Sequence, residues 1–191
     1  MAYHAEETRR RILGAATDEF SARGLAGARV DRIAAAAGCS KERIYANFGD
    51  KESLFTTVLN RSFSELGAAV ARTSAPGSGV DSVADFAVAV FDHFVDNPAN
   101  QRLLSWARLE DTHDWQASFA VLASVREAST AELLRLSTGT TRWSLDDVFV
   151  LVLSIATAWS LLPRVDGAAG VVPDVDEQRE IVHGAVARLL V

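Results

Sequence analysis

The sequence is short of the residues that staple or catalyse. One cysteine, Cys39, among 191 residues excludes an internal disulfide and fits a reducing interior. The four histidines, His4, His93, His113 and His183, are scattered, and none stands at metal-ligand spacing to that cysteine. There is no Gly-rich phosphate loop and no nucleophile elbow. Asp92-His93 and His113-Asp114 would form a hydrolytic or metal pair only if folding brought them together. Ordinary polar histidines are the simpler reading. No catalytic residue, metal ligand or cofactor is therefore assigned.

Long apolar runs are also missing. The longest, Val148 to Leu162, is too short to span a bilayer and carries Ser154, Thr157 and Ser160, so a buried core or interface helix is expected and no membrane partner. The opening "HAEETRRRIL" turns charged at once, so no export signal is expected and the location is read as cytoplasmic. No strand-like alternation of useful length and no internal repeat is found. With 49% hydrophobic and 23% charged residues, the chain reads as globular.

The charge is uneven. The formal net charge is −6, which argues against a nucleic-acid partner until the chain is divided. Residues 1–61 carry ten Lys/Arg and eight Asp/Glu, whereas residues 62–191 carry nine and seventeen. The acidity thus sits in the C-terminal part, and local potential governs contact with DNA.

What remains is helical periodicity. Ile12, Ala16 and Phe20, with Leu13, form a stripe stopped by Gly24. Val30, Ile33, Ala34 and Ala37 give a short second helix closed by Gly38. Ser40 can cap a third, from Lys41 to about Phe48, and after Gly49 the residue Asp50 can cap a long fourth. "TSAPGSG" reads as a loop, and "VDSVADFAVAVFDHFVD" as a helix. Asn97-Pro98 caps the next one. A long helix is expected over roughly Asp114–Leu136, then the apolar run, then a loop at "DGAAGVVPDVD" and a final helix. The fold class is all-α, with about nine helices.

A short helix, a tight Gly turn and a second short helix make a helix-turn-helix. Its reading helix needs an apolar inner face, supplied by Ile44 and Phe48, and a polar outer face. Lys41, Glu42 and Arg43 crowd its first turn, where such helices meet base edges in the major groove. Arg43 can pair bidentately with guanine, and Lys41 can do so or sit on phosphate. Ser40 and Tyr45 offer hydroxyls to phosphate, and the start of the fourth helix with Lys51 is a second anion site. Glu42 either accepts from a cytosine amine or points away. The same Ser-Lys-Glu-Arg run, met alone, would be a solvated turn. Arg9, Arg10 and Arg11 either flank DNA or are solvated. Cys39 reads as a small filler in the turn.

The stretch "TRRRILGAATDEFSARGLAGARVDRIAAAAGCSKERIYANFGDKESLF", residues 8–55, resembles the DNA-binding domain of the TetR family of transcriptional regulators. The likeness lies in Ile-Leu-x-Ala-Ala, Phe20, Arg23-Gly24, Ile33-Ala34, Ala37-Gly38, Ser40-Lys41, Ile44-Tyr45, Phe48-Gly49, Lys51-Glu52 and Leu54. It implies an all-helical homodimer, with a helix-turn-helix DNA-binding domain over 1–50. A helical ligand-binding and dimerisation domain over 51–191 would pair through the last two helices. The expected partners are double-stranded DNA and a small-molecule effector. Two positions depart from the pattern. Arg29 stands where Ser or Thr is usual ahead of the second helix, so a hydroxyl cap is lost but a cation can reach phosphate. Ala46 and Asn47 replace aromatic and His residues, leaving Asn47 for phosphate or base and Ala46 for a thymine methyl.

In the second part, aromatic residues at helical spacing serve either a core or a cavity between helices. Phe63, Phe86, Trp106, Phe119, Leu122 and Trp159 are the candidates for a ligand pocket. The final helix carries two adjacent stripes, Ile181-Ala185-Leu189 and Val182-Val186-Leu190, and the helix before it is apolar nearly all round. That is more apolar surface than one core needs, so a second copy is expected to cover it. The function expected is a ligand-responsive repressor on a palindromic operator, with the long fourth helix as lever. An all-helical enzyme and a protein–protein adaptor without DNA binding are the alternatives.

Overall fold

The computed structural model describes residues 2–73, 80–110, 144–161 and 173–190. The helix expected over Asp114–Leu136 lies outside them. The described residues form eight α-helices and no strand: α1 Ala2–Gly27, α2 Val30–Ala37, α3 Lys41–Phe48, α4 Lys51–Thr73, α5 Val80–Asp96, α6 Pro98–Glu110, α7 Leu145–Leu161 and α8 Val175–Leu189. Two compact units are present. One comprises residues 1–64 and 97–118, the other 65–96 and 119–191, so the division falls inside α4.

In the first unit the expected stripe of α1 is the centre of the core. Ile12, Ala16 and Phe20 are fully buried, and Phe20 meets Phe55 of α4 edge-on at a centroid distance of 5.0 Å. Val30, Ile33, Ala34 and Ala37 of α2 and Ile44 and Phe48 of α3 join the same cluster. Leu103 and Ala107 bring α6 into it. Gly38 closes α2 in the left-handed region at φ 62°, and Cys39 donates its amide N–H to Ala34 O. Gly49 (φ 86°) closes α3, donating to Tyr45 O. Asp50 then caps α4, its Oδ1 accepting the Ser53 amide at 2.7 Å.

The side-chain pattern places the end of the first helix at Gly24. There the helical path does break, at φ 67° and ψ −178°, and resumes for one turn to Gly27. The break frees two amides, Leu25 N and Ala26 N, and the Glu110 carboxylate at the end of α6 accepts both, at 2.8 and 3.0 Å. Trp106, one turn earlier, donates its indole N–H to Ser21 O at 3.2 Å. A Cβ at position 24 would lie 2.7 Å from the Trp106 ring and from Glu110 Oε1.

In the second unit, Phe86, Val90, Phe91 and Phe94 of α5 are buried, as are Val148, Val152 and Ala156 of α7 and Val182 and Val186 of α8. Phe86 neighbours Phe149, and Phe91 meets Trp159 edge-on at 6.4 Å. Asp174 and Glu177 form a reciprocal capping box that starts α8. Arg179 ties α8 to α5 through Asp92 at 2.9 Å, and also holds Asp176. Among the described residues no helix is long and apolar enough to cross a membrane.

Gly24→Ala combines a backbone conformation nearly confined to glycine with a collision against a packed indole, and is expected to cost roughly 2–4 kcal/mol. Gly14→Ala, in the exposed interior of α1 with open space at its Cβ, is expected to gain roughly 0.5–1 kcal/mol. Denaturant melts of both variants check the pair; equal effects would contradict the role given to the kink.

Candidate nucleic-acid interface

Eight residues are too few for a helix to persist in water by itself. α3 persists because both ends are satisfied and one face is buried. Ser40 Oγ accepts the Arg43 amide at 3.3 Å at the start, and Ile44 and Phe48 anchor the inner face. Lys41, Glu42, Arg43, Tyr45, Ala46 and Asn47 are left exposed, Tyr45 at 45%. Sequence-predicted contacts Ser40, Lys41, Glu42, Arg43, Tyr45 and Asn47 are therefore gathered on one short helix and its cap.

Their side chains are not equivalent. The Arg43 guanidinium has no partner among the described residues. Asn47 donates its Nδ2 to Arg43 O at 2.7 Å, so its side-chain oxygen is the atom left to accept. The Glu42 carboxylate turns back on its own helix start: its own amide and the Ser40 hydroxyl hold its pKa below the ordinary range. Lys41 reaches back to α2, where its ammonium pairs with Asp31 Oδ1 at 2.5 Å. This pair raises the Lys41 pKa and lowers that of Asp31.

Lys51 is half-buried, and its Nζ donates to Leu25 O at 2.8 Å and Ala28 O at 3.4 Å. It clamps the start of α4 to the last turn of α1 and to Ala28, which follows it. Arg29 precedes α2 in extended conformation with no side-chain cap, as its departure from Ser or Thr implies. The acceptor comes from α1. Glu19 Oε1 receives the Arg29 amide at 3.0 Å and Arg32 Nε at 2.7 Å, while Arg32 also donates to Gly27 O. Glu19 was missed in the sequence. The signal for it is negative: a helix start without a hydroxyl or carboxamide needs an acceptor from elsewhere. Arg9 lies over the Phe48 ring at 4.6 Å and donates to Asn47 O, so it braces the end of α3. Arg10 pairs with Glu7. Cys39 packs against the core cluster.

The ligand-pocket candidates divide between the two units. Phe86 and Trp159 belong to the second unit, each beside another aromatic ring. Phe63 and Trp106 belong to the first, with Trp106 occupied against α1. Phe119 and Leu122 lie outside the described residues, as do His113 and Asp114. Asp92 takes Arg179, whereas His93 is buried beside Phe94, and burial pushes its pKa down.

Comparison with known proteins adds two family matches. "Bacterial regulatory proteins, tetR family" matches residues 12–58, and "Tetracyclin repressor-like, C-terminal domain" matches residues 82–188. The HTH-type transcriptional repressor SCO4008 of Streptomyces coelicolor is 37% identical over 105 residues, 55% of this chain and 52% of that protein. The HTH-type transcriptional repressor NicS of Pseudomonas putida is 31% identical over 109 residues, 56% of this chain and 51% of that protein. The chain thus spans about half the length of the curated relatives it matches. Among solved structures, the transcriptional regulator SCO4942 from Streptomyces coelicolor is 32% identical, with a TM-score of 0.75 over 95% of this chain and 97% of that one. A TetR family regulator from Marinobacter aquaeolei, 16% identical, shares the fold at a TM-score of 0.78, covering 98% and 97%.

Glu19 stabilises the unit through its ionised form. The Arg32 hydrogen bond, chiefly, holds its pKa below the ordinary carboxylate value. Its contribution is complete above the unfolded pKa and is lost as pH falls through the folded one. Glu19→Gln is expected to cost roughly 1–2 kcal/mol at pH 7, with the deficit shrinking below about pH 4. Melts of both proteins across that range check it; a deficit that ignores pH would contradict it.

Proposed function

Because this chain belongs to the TetR family of bacterial regulatory proteins, we propose that it is a DNA-binding transcriptional regulator. We take it to act as a homodimer, repressing from an approximately palindromic site and released by a small-molecule effector. The observation that carries this reading is α3: a rigid helix with a buried inner face, exposing Arg43, Tyr45 and Asn47 beside Ser40 and Lys41. Arg43 is the candidate for bidentate guanine contact, Asn47 for base or phosphate, and Ser40 and Tyr45 for phosphate. Arg29, on the α2 side, is the candidate for a further phosphate. Lys51, which holds the start of α4 to the end of α1 and to Ala28, is assigned a positioning role.

The homodimer is proposed to form through α7 and α8. One stripe of α8, Val182 and Val186, is spent on its own unit. In the adjacent stripe Ile181 is 46% exposed, while Ala185 and Leu189 are partly buried. On α7, Val150 is 59% exposed, and Leu151 beside it is exposed as well. Apolar side chains at these positions suit a four-helix interface about a two-fold axis. The two copies of α3 would then enter successive major grooves about 34–36 Å apart. The effector is assigned to the second unit, where Phe86 and Trp159 belong to the aromatic core. An effector acts only by its differential affinity for the two arrangements of the dimer, and α4, which has residues in both units, is the proposed lever.

Nuclease footprinting of the DNA beside the gene, followed by gel shifts at graded salt, tests the reading. A protected, roughly palindromic segment with salt-sensitive affinity is expected. Arg43→Ala should weaken that complex by about 1–3 kcal/mol and relax preference at its base position. Ile181→Glu should give monomers in sedimentation and lose the footprint while the helical content is retained. An Ile181→Glu protein that stays dimeric would overturn the interface, and wild-type protein indifferent to duplex DNA would overturn the function.

A further inference from the structure

We propose that Asp31 is a specificity-determining residue: it acts as an internal stand-in for a DNA phosphate, holding Lys41 back from non-cognate duplex and yielding it where the cognate site offers a better acceptor. The inference rests on the DNA-binding reading above. Two cations of the candidate surface converge on this one carboxylate. Lys41 Nζ of α3 lies 2.5 Å from Asp31 Oδ1, and Arg29 Nη2 lies 4.0 Å from Asp31 Oδ2. Both are residues expected to meet the DNA backbone, and neither pair is enclosed: the side chains remain 48% exposed at Lys41, 54% at Asp31 and 67% at Arg29.

That exposure matters. A solvated pair is weak and screened, so a phosphate can displace it. Non-specific binding consists almost entirely of backbone charge neutralisation, so withdrawing one cation subtracts directly from it. Cognate binding has base contacts as well. With α3 seated by Arg43 and Asn47, a phosphate is held within reach of Lys41 and exchange with Asp31 follows. The carboxylate thereby penalises the wrong duplex more than the right one, which is how discrimination is gained without a new attractive contact. Asp31 also stands in the first turn of α2, where a negative charge favours the helix. A purely structural role there is the rival account.

The test uses the full chain and a random-sequence duplex as probe. Asp31→Asn should bind it more tightly than the parent, with a log-log salt slope steeper by about 0.9, the value for one added phosphate contact. Between about 50 and 200 mM salt, the advantage of Asp31→Asn should therefore shrink roughly threefold. In a background lacking both cations, Arg29→Gln with Lys41→Gln, the gain from Asp31→Asn should vanish. A gain that persists there would make Asp31 a general repulsive charge and overturn the proposal. Weaker binding by Asp31→Asn with or without Lys41 would establish the structural role instead. Equal slopes for parent and Asp31→Asn, with salt-sensitive binding intact in both, would overturn the role of Asp31 alone. Absence of salt-sensitive binding in every variant would overturn the functional reading with it.

Discussion

An eight-residue helix cannot hold itself together in water, and the candidate reading surface is one. Everything about the first unit answers that constraint. Ile44 and Phe48 bury the inner face of α3. Ser40 satisfies its start, and Gly49, by taking a positive φ, ends it at once. α2, equally short, is held by the same core and by Glu19 from the neighbouring helix. The result is a polar face whose position is fixed by apolar contacts behind it. That is what a protein needs if side chains are to meet base edges in register.

The same constraint explains where the charges go. Of the cations near the surface, several are spent on architecture. Lys51 holds backbone carbonyls, Arg32 holds Glu19 and Gly27, and Arg9 covers Phe48. Each fixes a junction between short elements that hydrophobic burial alone would leave loose. α6 contributes in the same way from far along the sequence. The Glu110 carboxylate completes the amides freed by the kink at Gly24, so the end of α1 is shaped by a residue 85 positions away.

Much of this is legible in the sequence. The stripe of α1, the bounds of α2 and α3, the cap at Asp50 and the start of α6 at Pro98 follow from side-chain periodicity and from glycine, serine, aspartate and proline chemistry. These act over three or four residues. The two stripes of α8 were also readable, and the structure separates them: Val182 and Val186 are buried, while Ile181 is exposed. The kink is only half legible there. Gly24 announced a break, but the turn that follows it depends on Glu110 and Trp106.

By itself, then, the sequence determined the helices, the caps at Ser40 and Asp50 and which short helix turns a polar face outward, because those depend on neighbours within a turn or two. Only the tertiary structure decided what each charged side chain does. It gave Lys41 to Asp31, Lys51 to two carbonyls and Trp106 to α1. The physical reason is reach. A long flexible cation or an indole N–H takes whichever acceptor the fold brings near, and nothing in the local pattern says which that will be.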